Sequence, residues 1–418
     1  MSAEIKPPKL RSPWAVVIGC GIVAACGATL WWSAALPLLI KPLEQAYGWS
    51  RADIAFAFTL MTLATPLLAP LAGALIDRVN LRRLVLVSIV LQSLAVAAFS
   101  LMSARLLTLY GLCLALAVVC YGASLLSLSK IVQGWFDRER GRALGVLFAC
   151  ASVGPIVHPL LAQAMLASFG LQQMFLVAGA ASLVMTGGAA WLLVHVRPDT
   201  GPGSSAAAPL DKALTAPPAS MQQLLRSRAF WALALWGALF VFGLGSITLH
   251  LPSLLQDRGG TPAQSAAAYS LIGVGLLLGN LGIATLLDKV SVRALASAVM
   301  LGPLAAVGIL TMADLNASPF VGQAAAVLLG LATGGEGTML AYLVGSYFAA
   351  GLYARAYAAQ TVALALAGGM GPWCAGLMYG AYGDYNRVLA LSAAMFIAAA
   401  LAAWALPAQA RESTRIRR

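Results

Sequence analysis

The sequence predicts an all-α polytopic membrane protein, and its composition and long apolar runs support this fold class. Of 418 residues, 61% are hydrophobic and only 10% are charged, whereas about 25% of the residues in a typical soluble domain are charged. The mean hydropathy is +0.86. These values exclude an ordinary soluble protein.

Twelve apolar runs are each long enough for one membrane crossing, which takes about 20 residues at 1.5 Å per residue for a hydrocarbon core of about 30 Å. They lie at residues 13–40, 54–76, 84–102, 106–132, 143–169, 172–195, 229–255, 265–287, 294–313, 319–347, 357–381 and 388–406. We therefore expect twelve transmembrane helices.

The distribution of Lys and Arg predicts the orientation. If the N-terminus is cytoplasmic, 20 of the 26 basic residues lie in inside segments and five lie in outside loops, with Lys130 left inside a run. The five are Lys41, Arg51, Arg105, Arg258 and Arg387. The positive-inside rule then places both termini in the cytoplasm, and we expect a bacterial inner-membrane protein. This bias accounts for the net charge of +12 without nucleic-acid binding.

The first run and the loop after it contain an aromatic pair and a candidate helix cap. The adjacent Trp31 and Trp32 fit either an interfacial aromatic belt or the wall of a central cavity. Ser50 or Asp53 is a suitable cap for the second helix. No small-residue cleavage site follows a short apolar run near the N-terminus, so we expect the first helix to remain in the mature protein.

A charged turn separates the second and third runs. It reads Gly-Ala-Leu-Ile-Asp-Arg-Val-Asn-Leu-Arg-Arg at positions 73–83. The turn resembles the loop 2–3 signature of the major facilitator superfamily, with matches at Gly73, Asp77, Arg78, Arg82 and Arg83. Asn80 replaces a glycine of the signature, and Asn is the next best residue where a turn needs positive φ. The resemblance implies a cytoplasmic gate, although these charges also fit simple positive-inside topology.

Two further segments resemble one branch of that superfamily, the monocarboxylate porter and oxalate:formate antiporter-like branch. They are Gly-Trp-Ser-Arg at 48–51 and Lys-x4-Trp-Phe-x3-Arg-Gly at 130–141. A glycine-rich pattern typical of the exporters is incomplete at the start of the fifth run and within it. The pattern residues Gly141, Gly154 and Pro155 are present, whereas other motif positions carry Cys150, His158 and Pro159. A drug antiporter is therefore less favoured.

The chain divides into two similar halves. We expect a six-helix bundle at 1–196, a cytoplasmic linker rich in Pro, Gly, Ser and Ala at 197–226, and a second six-helix bundle at 227–418. Three landmarks recur at similar offsets: Asp77-Arg78 with Asp288-Lys289 (288 − 77 = 211), Trp135-Phe136 with Tyr347-Phe348 (348 − 136 = 212), and Gly154-Pro155 with Gly371-Pro372 (372 − 155 = 217). Parallel repeats of this kind indicate duplication, and they add Asp288 and Lys289 to the predicted gate.

The sequence contains no common enzyme motif. It has no Gly-Lys dipeptide for a phosphate-binding loop, no His-Glu-x-x-His and no Gly-x-Ser-x-Gly. All six cysteines lie in apolar runs without a Cys-x-x-Cys pair, so we expect neither disulfide bonds nor a metal site. We predict that the protein is not an enzyme and has no cofactor.

Glu336, Lys130, His158 and His250 are ionisable side chains within the runs, and each has two interpretations. Glu336 is half way along its run and fits a proton-coupling carboxylate, or a structural carboxyl group bonded to Thr338 or a neighbouring helix. Lys130 fits an anion-attracting cation, or a side chain that snorkels to the inner surface. His158 and His250 fit proton relay or substrate binding, or ordinary packing.

The resemblance implies a transporter with a central cavity that works by alternating access. We predict transport of a small organic anion, a mono- or dicarboxylate, coupled to protons or by exchange, in a protein that is monomeric in the lipid bilayer. The predicted substrate-binding or coupling residues are Glu336, Lys130, His250, Tyr121, Tyr342 and Trp373. The alternatives are uptake or export of a larger aromatic acid, siderophore or drug-like compound, and a non-transporting membrane sensor with the same fold.

Overall fold

The computed structural model describes residues 12–136, 139–195, 221–287, 289–312, 320–348 and 350–407. We call residues 12–195 the N-terminal part and residues 221–407 the C-terminal part. Within these ranges the chain is almost entirely helical and contains no strand. Most of the predicted linker, Asp288 of the predicted gate and the side chain of Asp77 lie outside the described residues.

The N-terminal part contains nine α-helices: α1 (Pro13–Ala25), α2 (Ala28–Tyr47), α3 (Arg51–Arg78), α4 (Leu81–Ala98), α5 (Leu106–Val119), α6 (Leu125–Trp135), α7 (Arg140–Ala151), α8 (Val153–Ser182) and α9 (Gly188–Leu193), counted over its described residues. The C-terminal part, counted in the same way, contains α10 (Met221–Leu225), α11 (Arg228–Thr248), α12 (Leu251–Asp257), α13 (Pro262–Leu286), α14 (Val292–Ala298), α15 (Leu301–Met312), α16 (Phe320–Tyr347), α17 (Ala350–Tyr382) and α18 (Asn386–Ala402).

In the part of the chain that the structure describes, eleven helical segments are long and apolar enough to cross a membrane. The longest, Arg140–Leu193, has 54 residues, which is about 80 Å of helix and more than twice the hydrocarbon thickness. Gly170 interrupts it at φ 75° and ψ 176°, a conformation that favours glycine. The all-α polytopic fold is confirmed. The break agrees with the predicted boundary between two runs, but the count of twelve and the cytoplasmic termini stay predictions.

Two of the crossing segments are broken near their middle. Pro13–Tyr47 changes from α1 to α2 at Cys26 and Gly27. Leu106–Trp135 contains one turn of 3₁₀ helix, Cys120–Ala123, between α5 and α6. Such breaks free backbone groups for contacts to neighbouring helices. The second break holds Tyr121, one of the predicted site residues.

Helix caps confirm one expectation and correct another. Ser50 caps α3, as the sequence predicts, and it also forms a capping box with Asp53. Asn80 has φ −64°, so the expectation of a positive-φ turn at this position is wrong. Its side-chain oxygen instead accepts a hydrogen bond from the backbone N–H of Arg83 (3.2 Å) and caps α4. The turn is closed by a cap, which Asn supplies and glycine lacks.

The tryptophans of the first run belong to the core of the N-terminal part. Trp32 is fully buried, with its ring centroid 4.1 Å from that of Phe99, and Trp31 packs on Phe175 at 6.1 Å. The structure supports neither an interfacial belt nor a cavity wall for this pair. Large aromatic surfaces are instead used to fill the space between α2 and α8.

Hydrogen bonds at the helix ends repeat between the two parts. Trp135 Nε1 at the end of α6 donates to the carbonyl of His195 (2.6 Å), and Tyr347 Oη at the end of α16 donates to the carbonyl of Pro407 (3.0 Å). In both cases donor and acceptor are 60 residues apart in sequence. The equivalent contacts support the internal duplication, while the domain limits stay a prediction.

Candidate functional site

The two parts of the chain touch closely along α3 and α17. The hydroxyl of Thr59 donates to the carbonyl of Gly369 (2.6 Å). A Cβ atom at Gly376 would lie 2.5 Å from the Cα of Ala52. The helix backbones are therefore in contact, with no room for a ligand at this point.

A group of four charged side chains closes the same end of this interface. We call Lys41, Glu44, Arg51 and Asp257 the Arg51 clasp, and the end of the bundle that carries it the Arg51 face. The Nη1 and Nη2 atoms of Arg51 donate to the two carboxylate oxygens of Asp257 at 2.5 and 3.2 Å. Arg51 Nε donates to Glu44 (3.0 Å), and Lys41 Nζ lies 2.6 Å from Asp257. Only Asp257 belongs to the C-terminal part, so its two cationic partners connect the parts.

A second set of contacts extends the clasp into the C-terminal part. The guanidinium carbon of Arg51 lies 3.9 Å from the ring centroid of Tyr379. Arg51 Nη1 also donates to the hydroxyl of Tyr385 (2.9 Å). Arg51 is only 5% exposed, and buried ion pairs are sustained only when their remaining donors are satisfied. Each N–H group directed at the C-terminal part therefore has a polar or aromatic partner.

His250, one of the predicted site residues, belongs to this set. Its Nε2 donates to the carbonyl of Pro372 (2.9 Å), which leaves Nδ1 to accept from the Tyr385 hydroxyl (3.1 Å). His250 is 1% exposed. The chain of contacts Asp257, Arg51, Tyr385, His250 thus reaches the proline in α17. His250 is therefore buried next to the clasp residue Arg51, linked to it through Tyr385, and both of its ring nitrogens are hydrogen-bonded.

Asp257 lies in the short segment between α11 and α13, outside the spanning helices. Burial alone would raise the pKa of its carboxyl group, but the hydrogen bonds from Arg51 and Lys41 outweigh burial and hold the pKa below its usual value. A lowered pKa means that the stabilising contribution is fully present above the ordinary value of about 3.9 and is lost as the pH falls through the lowered value. The clasp should therefore stay ionised at neutral and mildly acidic pH.

We expect the distance across the Arg51 face to be unchanged between pH 8 and pH 5. Spin labels at Ala104→Cys and Ala263→Cys, both exposed and on opposite parts of the chain, would report it by electron–electron double resonance. The control is Arg51→Gln, which removes one of the two cations of the clasp and should broaden the distance distribution at every pH. If the distribution of label distances widens at pH 5 in the protein with an unsubstituted clasp, Asp257 is not ionised at that pH and the expectation is contradicted.

An aromatic group lies further along the same interface. The ring of Trp373 in α17 is 5.3 Å from that of Phe56 in α3, and Phe56 is 5.5 Å from Tyr110. Trp373 and Phe56 are half-buried. The predicted residue Trp373 is therefore at the contact between the two parts, beside Phe56, which follows Arg51 by five residues in α3.

Glu336 lies in another region, in the middle of α16. Its Oε1 atom is buried and has no hydrogen-bond partner within the described residues. The hydroxyl of Thr338 donates to Asn280 Oδ1 (2.9 Å) in α13 and not to Glu336. The structural interpretation through Thr338 is thus not observed. A buried carboxyl oxygen without a partner is costly in a membrane span, which marks this position as a functional candidate.

The other predicted binding residues lie on separate elements. Lys130 is exposed on α6, five residues before Trp135. Tyr121 is half-buried and its hydroxyl donates to the carbonyl of Thr65 in α3. Tyr342 is half-buried in α16 and packs against the core of the C-terminal part. Their participation in one site stays a prediction.

The predicted cytoplasmic gate lies at the opposite end of α3. Arg82 Nη2 donates to the carbonyl of Trp191 (3.0 Å), and its guanidinium lies 5.8 Å from the centre of the indole ring. This contact joins α4 to α9 within the N-terminal part. Arg78, Arg83 and Lys289 are exposed, and Gly73 has open space around it. The gating role of this turn stays a prediction.

Arg51, Asp257 and Tyr385 were not among the site residues predicted from the sequence. Arg51 was counted as one of five outside charges and as part of a branch motif, and Asp257 follows an apolar run without any pattern around it. An ion pair between residues 206 positions apart leaves no local signal. The available signal was that Lys41 and Arg51 are two of only five cations in the predicted outside loops.

Comparison with known proteins agrees with this architecture. The family model described as Major Facilitator Superfamily matches residues 18–372. The 3-(3-hydroxy-phenyl)propionate transporter of Escherichia coli (strain K12) is 28% identical over 377 residues, which cover 87% of each chain. The uncharacterized MFS-type transporter YhjX of the same organism is 25% identical over 356 residues, 83% of each chain.

Solved structures show the same fold at low identity. The nucleoside transporter NupG, as a mutant, gives a TM-score of 0.73 at 13% identity, covering 94% of this chain and 99% of that one. A bacterial homolog of the human lysosomal transporter Spinster, in an inward-facing and occupied conformation, gives 0.70 at 16% identity, covering 95% and 97%. The relatives are named as transporters rather than enzymes. With a family model matched over most of its length, this chain belongs to the Major Facilitator Superfamily.

Proposed function

We propose that the protein is a secondary active transporter that moves an organic anion, a mono- or dicarboxylate, by alternating access. The observation that carries this proposal is the Arg51 clasp, in which Arg51 and Lys41 of one part hold Asp257 of the other. A charged contact between the two parts at one end of the bundle suits a transporter that closes one face while the other is accessible.

In the proposed orientation the Arg51 face is extracytoplasmic, both termini are cytoplasmic and the protein lies in a bacterial inner membrane. The excess of Lys and Arg in the opposite loops supports this orientation. The structure then corresponds to a state that is closed toward the outside. Residues 1–196 and 227–418 would be the two moving bundles. The turn at 73–83, with Asp288 and Lys289, would close the cytoplasmic face in the other state.

Aromatic monocarboxylates are the favoured substrates within this class. The relative that is 28% identical over 87% of both chains is named as a transporter of such an acid. Phe56 and Trp373 provide aromatic surface where the two parts meet, and flat apolar rings bind favourably against such surfaces. A probable anion transporter of Oryza sativa subsp. japonica, 28% identical over 41% of this chain and 32% of its own length, also fits an anionic substrate.

Uptake into proteoliposomes tests the proposal. The panel consists of labelled 3-phenylpropionate, benzoate, acetate and oxalate, with 3-phenylpropanamide as the neutral counterpart of the first acid. We expect saturable accumulation of at least one carboxylate under an imposed pH gradient or by exchange with the same acid, and none of the amide. If no acid enters faster than in protein-free vesicles, the organic-anion proposal fails and a larger or uncharged substrate takes its place.

A further inference from the structure

We propose that Lys41 and Arg51 form an entry site for the substrate carboxylate on the Arg51 face, and that Asp257 fills this site while the face is closed. The inference rests on the proposed function, since it assumes an anionic substrate and an alternative state in which the two parts separate. It assigns Asp257 the role of an internal carboxylate that the substrate replaces.

The charges of the clasp change when the parts separate. In the closed state Lys41 and Arg51 are balanced by Glu44 and Asp257. Lys41, Glu44 and Arg51 all belong to the N-terminal part, so departure of Asp257 leaves a local charge of +2 − 1 = +1 there. A positive site at the mouth of an open cavity attracts anions and repels cations. A monocarboxylate restores the balance of the closed state.

The geometry of the clasp is already that of a carboxylate-binding site. Asp257 receives two parallel N–H groups from Arg51 and one ammonium group from Lys41, at 2.5, 3.2 and 2.6 Å. A guanidinium fork recognises any carboxylate in this way, and a neutral amide lacks the charge that makes such bonds strong. The site therefore selects for the ionised form of an acid.

Arg51 keeps a partner within the N-terminal part when Asp257 leaves. The Nε of Arg51 remains bonded to Glu44 (3.0 Å) at the end of α2. A tight turn joins α2 to α3, with Gly48 at φ 68° and the capping box at Ser50. Holding a receptor group rigid lowers the entropy cost of binding. Phe56, about 7.5 Å further along α3, keeps an aromatic surface on the same part for the apolar body of an acid.

Asp257 also determines the apparent affinity for an acid that binds from the Arg51 face. While Asp257 holds the face closed, the entry site is available only in the open fraction of molecules, and the apparent dissociation constant rises as that fraction falls. Asp257→Asn removes the charge that holds the face closed and also removes the competitor. We expect the open population to increase without ligand, and the acid concentration for half-maximal opening to fall at least tenfold.

The test uses the full chain in nanodiscs, with the six native cysteines replaced and spin labels at Ala104→Cys and Ala263→Cys. Sodium 3-phenylpropionate, benzoate, acetate and oxalate are the probes, and 3-phenylpropanamide is the neutral control. In Asp257→Asn the longer distance of the open state should be populated without ligand. Its population should increase further at low acid concentration, but not with the amide. In Asp257→Asn combined with Arg51→Gln the face should open and no longer respond to acid.

Glu44→Gln is the matched control, because it removes an acid from the clasp without releasing the C-terminal part. It should stay closed without ligand, because Asp257 still binds Arg51 and Lys41. The inference is overturned if Asp257→Asn, or Asp257→Ala should the first variant fail to fold, stays closed, or if acid still opens the protein without Arg51. Because opening is measured without transport, a protein that opens with acid but does not transport it would contradict the proposed function alone.

Discussion

Replacing Glu336 with Gln is expected to abolish accumulation driven by a pH gradient while exchange of substrate across the membrane continues. Glu336 has a buried carboxyl oxygen without a hydrogen-bond partner among the described residues, in the middle of a membrane span. In the proposed proton-coupled cycle, such a group is protonated while it is buried and loses its proton when opening of the bundle exposes it to water. Gln keeps the shape and the neutral state but cannot release a proton.

The expected effect is large because the proposed coupling depends on Glu336 alone, so that Gln at this position removes the coupled proton entirely. One pH unit supplies about 1.4 kcal/mol for each proton, a factor of about ten in concentration. Proteoliposomes with unsubstituted protein should approach that ratio for a substrate that enters with one net proton. The Glu336→Gln ratio should fall to about one, with counterflow exchange at a similar rate.

Two controls separate coupling from folding. Glu139→Gln changes an exposed acid at the start of α7 and should leave accumulation intact. Thr338→Val removes the hydroxyl that donates to Asn280 without touching the carboxyl group of Glu336, so it should affect stability more than coupling. If Glu336→Gln accumulates substrate as the unsubstituted protein does, Glu336 is structural and the proton is carried elsewhere.

The sequence was sufficient for the features that depend on local composition. Runs of about 20 apolar residues predicted the spans, and a helix cap at Ser50 or Asp53 was predicted because a capping side chain and the helix start lie within four residues. The boundary between the fifth and sixth runs coincided with Gly170. Each of these signals acts over a single helix or turn, where residue type and conformation are directly related.

The site was less predictable because its contacts are between distant segments. Arg51 and Asp257 are 206 residues apart, and His250 reaches Tyr385 across 135. Glu336 could be selected because a charge within an apolar run is rare, whereas Arg51 and Asp257 lie at helix ends where charges are common. The face of a helix that a side chain occupies also depends on packing, so Trp31 and Trp32 were assigned to a belt or a cavity and are in the core.

The contact between α13 and α16 should be the most sensitive packing in the C-terminal part. A Cβ atom at Gly279 would lie 2.1 Å from the carbonyl oxygen of Leu331, and one at Gly334 would lie 2.1 Å from that of Leu276. Both obstacles are helix backbone, which cannot move aside as a flexible side chain can. Glycines at such contacts let the helix backbones touch, and the same pair of helices holds Asn280 against Thr338.

We therefore expect Gly279→Ala to destabilise the protein by about 1–3 kcal/mol, the usual cost of overpacking, and Gly279→Val to prevent accumulation of folded protein. Gly282→Ala is the matched control, since it lies one turn away on α13 with no atom within 4 Å of the added Cβ. It should be neutral or slightly stabilising, because alanine is the better helix former. Thermal unfolding in detergent, followed by the loss of the monodisperse peak, measures both. Equal midpoints for Gly279→Ala and Gly282→Ala would mean that the two helices can separate without cost, and the backbone contact would then not be what holds α16 and Glu336 in place.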